Sequence, residues 1–380
     1  MNTPDWTAHA RRLADALVER GDLRSPQWRA AIAAVPRHLL VPHAYQQDRS
    51  TGKWSKFATA DLLERVYSPE TLITAVETVN GHQQPVSSST KPDLMVRMLE
   101  TLDVHDGHRV LEIGTGTGYN AALLAHRLGD EHVFTVDVDD DLITVTQERL
   151  AAIGSHPTVL AADGAAGLPE YAPFHRIIAT CSAPAVPWTW ADQLTRDGVI
   201  LVDLKIANSA GNLVLLRRIG DRLEGRFTAR WAAFMAMRPK TTAPSVPNTR
   251  AARADGARTR STTAPAVPWQ GPTTVVWFLA QRQLPAGLSF GYDLDPDTRQ
   301  PVASTISAPD GSWVRVSHTD GTVTEAGDTA LWAAIERVHE QWRSVGEPPW
   351  DRLGLTVTAD GQHRVWLDRP DGPQMWELRT

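Results

Sequence analysis

At 380 residues the chain is long enough for two or three domains, and 22% charged residues with a formal net charge of -6 describe an ordinary globular protein. That balance gives no electrostatic reason to expect a nucleic-acid or anionic-membrane partner. The single cysteine, Cys181, excludes an internal disulfide and a cysteine-rich zinc site, so core filling in a reducing compartment is its expected role, and no metal is expected.

The first residues, "MNTPDWTAHARRLADALVERG", hold no apolar run of signal-peptide length, and no later run approaches the ~18 residues of a membrane span. A cytoplasmic monomer with no membrane partner is the expectation. From Trp6 to about Val41 the apolar spacing is helical. "RRLADALVERG" sets Leu13, Ala16 and Leu17 on one face, and in "SPQWRAAIAAVPRHLLVP" Ser25 is placed to cap a second helix that Pro36 stops. The chain then reads as turn-rich from about Val76 to Val86. Leu94, Met95, Met98, Leu99 and Leu102 mark another helix.

Between Arg109 and Leu204, β-rich runs ("RVLEIG", "HVFTVDV", "RIIAT", "GVILVDL") alternate with helical ones ("YNAALLAHRLG", "LITVTQERLAAIG"). This is the pattern of a parallel sheet covered by helices on both faces. The segment that follows, as far as Met237, should add antiparallel strands at the sheet edge.

Residues 238–270 are rich in Pro, Thr, Ala and Arg and read as a linker, with Arg250, Arg253, Arg258 and Arg260 expected in solvent. Residues 271–380 are apolar again and rich in tryptophan. Asp320-Gly321 and Asp360-Gly361 signal hairpins, and Leu331, Trp332, Ile335, Val338 and Trp342 share a helical face that ends at Gly346. Trp332 and Trp342 should fill a small core; Trp350, with no periodic partner, is the expected exposed substrate contact. The expected organisation is a helical N-terminal region (1–80), an α/β Rossmann-like core (81–237), the linker (238–270) and a small α+β domain (271–380).

In "RVLEIGTGTGYNAALL" a strand runs into Gly114, Gly116 and Gly118 and then into a helix. Such a turn lets backbone approach a ligand whose polar groups meet free N–H groups at the helix start. Tyr119 stands where the dinucleotide fingerprint needs its third glycine, which weakens a nicotinamide or flavin reading. Glu112, Asp137 and Asp163 fall at successive strand ends, at the carboxyl edge where open α/β sheets bind ligands. Asp137 is placed to accept ribose hydroxyls, Asp163 to bond an adenine amino group and Glu112 to orient a cationic methionine moiety. The arrangement resembles class I S-adenosyl-L-methionine-dependent methyltransferases.

"VSSSTKPDLM" precedes this turn. No histidine falls at the strand ends of the active face, His175 being expected on the solvated side, so no base is evident. A carboxylate acceptor needs none, and neutral hydroxyls could grip one without neutralising it. Thr90 with Asp93 also fits a capping box for the helix after Lys91-Pro92.

Together "VPRHLLVP", "VSSSTKPDLMVRML", "VLEIGTGTGYNAALLA" and "APFHRIIATCSAPAVP" resemble the protein-L-isoaspartate O-methyltransferase family over residues 13–237. The resemblance implies an active-site hydroxyl at Thr90, with Ser88 and Ser89 beside it, and substrate contacts from Val86 and Ser87. It implies cofactor contacts from Thr115, Asn120, Val138, Gly164 and Thr180 besides the glycines and acids above, with S-adenosyl-L-homocysteine as product. The added C-terminal region looks like that of longer actinobacterial-type homologues associated with ribosomally made, modified peptides (graspetides, lasso peptides, lanthipeptides). On that resemblance the expected acceptor is an aspartyl or isoaspartyl carboxylate of a modified precursor peptide, whose ester cyclises to a succinimide. General repair of isoaspartyl polypeptides, a non-catalytic cofactor-binding regulator and small-molecule methylation are the alternatives.

Overall fold

The computed structural model describes residues 5–48, 50–79, 81–238 and 255–378. The N-terminal part runs through α1 (Trp6–Glu19), α2 (Pro26–Ala34), α3 (Arg37–Leu40), β1 (His43–Gln47), β2 (Trp54–Ala58), α4 (Leu63–Val66), β3 (Leu72–Val79), β4 (His82–Ser89) and α5 (Pro92–Leu102). Here the stretch read as turn-rich is a hairpin: β3 and β4 pair antiparallel and close a four-stranded sheet of order β2-β1-β3-β4. The hydroxyl run Ser87–Ser89 is therefore the end of a strand, held by a neighbour far richer in β-branched residues. Ser25 stands at the start of α2, but its hydroxyl donates to Glu100 Oε2 at 2.7 Å and does not cap its own helix.

The central part follows as β5 (Val110–Ile113), α6 (Tyr119–Leu128), β6 (Val133–Asp137), α7 (Asp140–Ala152), β7 (Thr158–Ala161), β8 (Phe174–Ala183), α8 (Trp188–Asp192), β9 (Leu194–Ala207), β10 (Ala210–Ile219) and β11 (Arg222–Phe227). Strands β7-β6-β5-β8-β9 are parallel, as the alternating texture predicts. Side chains alternate between faces, so Ile200, Val202 and Leu204 of β9 pack toward the C-terminal region while Leu201 packs toward α1, α2 and α5. The chain leaves β5 toward β6 and β7, then returns to β8 on the other side. This reversal opens a crevice at the carboxyl ends of β5 and β8.

The last part comprises β12 (Arg258–Ser261), α9 (Thr274–Ala280), β13 (Ser289–Leu294), β14 (Pro301–Ser307), β15 (Trp313–Ser317), β16 (Thr322–Ala326), α10 (Leu331–Ser344), β17 (Leu353–Thr358), β18 (His363–Leu367) and β19 (Met375–Glu377). Both Asp-Gly hairpins form, at β15–β16 and β17–β18, and α10 buries Leu331, Trp332, Ile335, Val338 and Trp342. Strands β12-β16-β15-β14-β13 make a sheet of their own, but β17 pairs with β11, so β10 and β11 lie inside a ten-stranded sheet and not at its edge. One apolar cluster runs from Ile200 and Val202 through Phe227 to Trp277, Trp332 and Trp350.

Two expectations change here. Trp350 is 4% exposed, its ring 5.2 Å from those of Phe227 and Phe278 and its indole N–H donated to Thr274 Oγ1 at 2.9 Å, so it is core and no exposed contact. Of the expected linker, Arg250 and Arg253 lie outside the described residues. Arg260 sits in β12 and pairs with Glu325 at 2.8 Å and Glu336 at 2.6 Å, and Ala264 and Trp269 are buried. Among the described residues no helix is long and apolar enough to cross a membrane.

Candidate active site

A cavity of about 380 Å³ opens at the crevice, walled by the ends of β4, β5, β6 and β8, the start of α6, and the segment 233–238. The turn after β5 shapes its floor. Gly116 takes a φ of 51° and Gly118 one of 79°; a Cβ on Gly118 would stand 2.7 Å from Thr146 Cγ2, so α6 and α7 close on each other only over a glycine. Thr180 Oγ1, on β8, donates to Gly114 O at 2.6 Å and fixes the turn from below.

Glu112 is buried and accepts from Asn120 Nδ2 at 2.8 Å and Thr135 Oγ1 at 2.6 Å. Burial outweighs these bonds and pushes its carboxyl up to about 7. Asn120 Oδ1, in the same wall, is buried with no hydrogen-bond partner among the described residues. An acid kept near neutrality beside an orphaned acceptor is a site arranged to receive donors or a positive charge. Asp137 Oδ2 accepts from Gly116 N at 3.1 Å, while Oδ1 lies 3.7 Å from Arg238 Nη2. Thr115 bonds Thr135 at 2.8 Å, and Val138 and Gly164 line the wall. Asp163 does not line it: its carboxylate accepts from Ala165 N at 2.9 Å in a local turn. These residues fit S-adenosyl-L-methionine.

Opposite the turn, Val86, Ser87, Ser88, Ser89 and Thr90 line the cavity, but their hydroxyls are not equivalent. Ser87 accepts from Thr74 at 2.9 Å, and Ser89, 3% exposed, lies 3.4 Å from the Arg37 guanidinium. Ser88 and Thr90 have no side-chain partner among the described residues. The expected capping box is absent: Lys91 is the N-cap of α5, no side chain caps it, and Asp93 turns to Arg20 and Lys91.

Among the described residues no histidine lines the cavity. His175 opens β8 at the other end of the sheet, its ring stacked on His108 at 4.8 Å and its Nδ1 accepting from Arg109 N at 3.0 Å. Cys181 lines the wall, and burial pushes its thiol up to about 12, so it offers neither base nor nucleophile at neutral pH. Trp350, expected at the substrate, lies in the core instead.

Two features escaped the sequence reading. The segment 233–238 is bonded to β8 through Ser182 N to Met235 O and Met237 N to Ser182 O, both at 2.8 Å, and carries Phe234, Met235 and Met237 into the wall. Arg37, fully buried, donates to the carbonyls of Val66, Glu70, Ser89 and Thr90. Its only sequence signal is a charged residue inside an otherwise apolar "VPRHLLVP".

A family model, "Protein-L-isoaspartate(D-aspartate) O-methyltransferase (PCMT)", matches residues 8–226. Among relatives, the protein-L-isoaspartate O-methyltransferase of Methanothermobacter thermautotrophicus is 32% identical over 210 residues, 55% of this chain and 85% of its own length. That of Methanosarcina mazei is 34% identical over 174 residues, 45% of this chain and 61% of its own length. A solved structure described as a protein-L-isoaspartate O-methyltransferase superposes with a TM-score of 0.55 at 22% identity, over 94% of this chain and 99% of that one, and so shares the fold of the C-terminal region as well. With the crevice, the glycine turn and a matched span of more than half its length, the chain belongs to the protein-L-isoaspartate O-methyltransferase family, whose members are methyl-transferring enzymes.

Proposed function

We propose that this enzyme methylates the free α-carboxylate of isoaspartyl residues in polypeptides. The observation that carries the reading is the pair of hydroxyls, Ser88 and Thr90, with no side-chain partner among the described residues, facing a crevice that no histidine of the described residues lines. When bound, S-adenosyl-L-methionine supplies a methyl carbon already activated by a sulfonium, and leaves as S-adenosyl-L-homocysteine. The chain's own work is then alignment and exclusion of water. Ser88 and Thr90 donate to the acceptor carboxylate and hold one oxygen in line; Ser89 keeps Arg37 against the strand beneath them. Asp137 would accept from the ribose, and Glu112 and Asn120 would take the methionine ammonium. Gly114, Gly116 and Gly118 leave room for the backbone to approach it. Thr115, Val138, Gly164 and Thr180 complete that wall, while Val86 and Ser87 border the peptide. Asp163 has a smaller part than expected, its carboxylate being engaged in its own turn.

An aspartate in a modified ribosomal peptide would present its side-chain carboxylate instead, a nucleophile of the same charge. That narrower reading leaned on the C-terminal region as a peptide-binding addition, and the burial of Trp350 and the shared core give it no support. The test is mass spectrometry on three acceptors offered with S-adenosyl-L-methionine: a linear isoaspartyl peptide, its aspartyl twin and a cyclic aspartyl peptide. Gain of one methyl by the isoaspartyl peptide alone, followed by loss of methanol as the succinimide closes, is expected. Methylation confined to the cyclic peptide would replace the proposal with the narrower one, and no methylation of any peptide would overturn both.

A further inference from the structure

Next to the hydroxyl run stands a group of charges that the transfer itself does not use. Asp22 and Asp93 are each 2% exposed and are met by four cations from three parts of the chain. Arg20, at the end of α1, lies 3.1 Å from Asp22 and 3.4 Å from Asp93. Lys91 lies 3.2 Å from Asp93 and Arg97, on α5, 3.8 Å from Asp22; Arg230, after β11, also pairs with Asp22.

Two buried carboxylates need two cations for compensation, and here there are four. The surplus is felt locally: burial, and then Arg230 and Arg20, depress the Arg97 guanidinium against the opposing pull of Asp93 and Asp22. A neighbouring acid, Glu100, is already taken by the Arg24 and Ser25 amides and the Ser25 hydroxyl, and Asp15 by Arg29. A positive excess in a chain of net charge -6 runs against the overall sign. It is also reachable: the side chains of Arg20, Lys91 and Arg230 are 46%, 43% and 55% exposed.

Its position ties it to the site. Lys91 follows Thr90 directly and lines the cavity. Arg230 precedes Trp231, which is 44% exposed, and the segment 233–238 that forms the opposite wall. The surplus charge therefore borders the cavity beside the hydroxyl run.

Resting on the isoaspartyl-polypeptide reading above, we infer that Arg20, Lys91 and Arg230 form a docking rim for acidic side chains flanking the acceptor residue, so that acidic segments are preferred substrates. Half-exposed ion pairs each contribute modestly and are screened by salt, so two flanking acids should raise kcat/KM about five- to tenfold at low ionic strength.

The experiment uses the full chain, radiolabelled S-adenosyl-L-methionine and three isoaspartyl peptides of equal length flanked by two Glu, two Gln or two Lys. Expected is the order Glu over Gln over Lys, with the differences shrinking as salt is added. In the Arg20→Gln/Arg230→Gln double variant the Glu-to-Gln ratio should fall toward one, and Arg230→Lys should keep it. The ratio within each variant is read, so a loss of folded protein does not mimic the effect. Equal kcat/KM for the three peptides in the unaltered enzyme, or ratios indifferent to salt, would overturn the rim while leaving the methyl transfer intact. Failure to methylate any of the three would instead overturn the polypeptide reading on which the rim depends.

Discussion

The crevice at the ends of β5 and β8 and the tryptophan-rich region beyond residue 262 both bury polar atoms, and they treat them differently. In the C-terminal region the indole N–H groups of Trp269, Trp277, Trp332, Trp342, Trp350 and Trp366 each donate to a fixed partner at 2.8–3.1 Å. In the crevice Glu112 is pushed toward neutrality and buried Asn120 Oδ1 has no partner, while the half-buried Ser88 and Thr90 have no side-chain partner among the described residues. Buried polar groups are normally satisfied, and leaving one unsatisfied costs stability. Of the tryptophans only Trp350 was expected at the substrate, and its satisfied indole returns it to the core with the others.

Altering the two regions should separate stability from binding. The largest effect belongs to Trp350→Ala, which empties the space between Phe227 and Phe278 and removes the indole bond to Thr274; it should cost about 3–5 kcal/mol in denaturant unfolding. Affinity for S-adenosyl-L-homocysteine should hold while the protein stays folded. If that affinity fell with no loss of stability, Trp350 would belong to the site after all. Asp137→Ala should do the opposite, lowering that affinity on the order of a hundredfold by calorimetry through loss of charged hydrogen bonds, with the unfolding midpoint of the ligand-free protein little changed.

The pH response sharpens the same contrast. Because the folded state holds the Glu112 proton up to about 7 against an ordinary value of 4.5, it binds more protons than the unfolded chain across that window. Stability therefore falls as pH rises through it. Asp203, pushed up to about 6 chiefly by burial, adds to the fall at its lower end. Glu112→Gln should flatten the upper part of the slope, and cofactor affinity of the unaltered protein should rise with pH through about 7 as the carboxylate becomes available to a cation. The smallest effects are at the hydroxyls: Ser88→Ala and Thr90→Ala should each lower kcat/KM about tenfold with unfolding unchanged, by loss of one bond to a charged group. Ser87→Ala, whose hydroxyl is already engaged with Thr74, should do less than either.

Much of the crevice was legible because its signals are local. Strand, glycine turn and helix follow one another in "RVLEIGTGTGYNAALL", and the ends of β5 and β6 announce Glu112 and Asp137 within a few residues of each apolar run. What stayed hidden depends on pairing across long stretches of sequence. β4, "HQQPVSSS", has little strand character and exists because β3 supplies its ladder. Trp350 lacks a helical partner in sequence and finds Phe227 and Phe278 only in the fold. Arg260 looks solvated in a basic run until β16 and α10 bring Glu325 and Glu336 to it. Asp163 follows the end of β7, and its Oδ1 accepts from Ala165 N in a local turn that the sequence pattern did not signal.

The pairing of β17 with β11 sets a limit on how this chain can be shortened. A truncation in the region before β12 would strip β11 of its neighbour and lay Phe227 open, leaving a long ragged ladder of free amides and carbonyls ready to template onto other molecules. A minimal catalytic fragment would need new charges or a proline along β11 before it could remain in solution, so trimming here is a redesign and not a deletion.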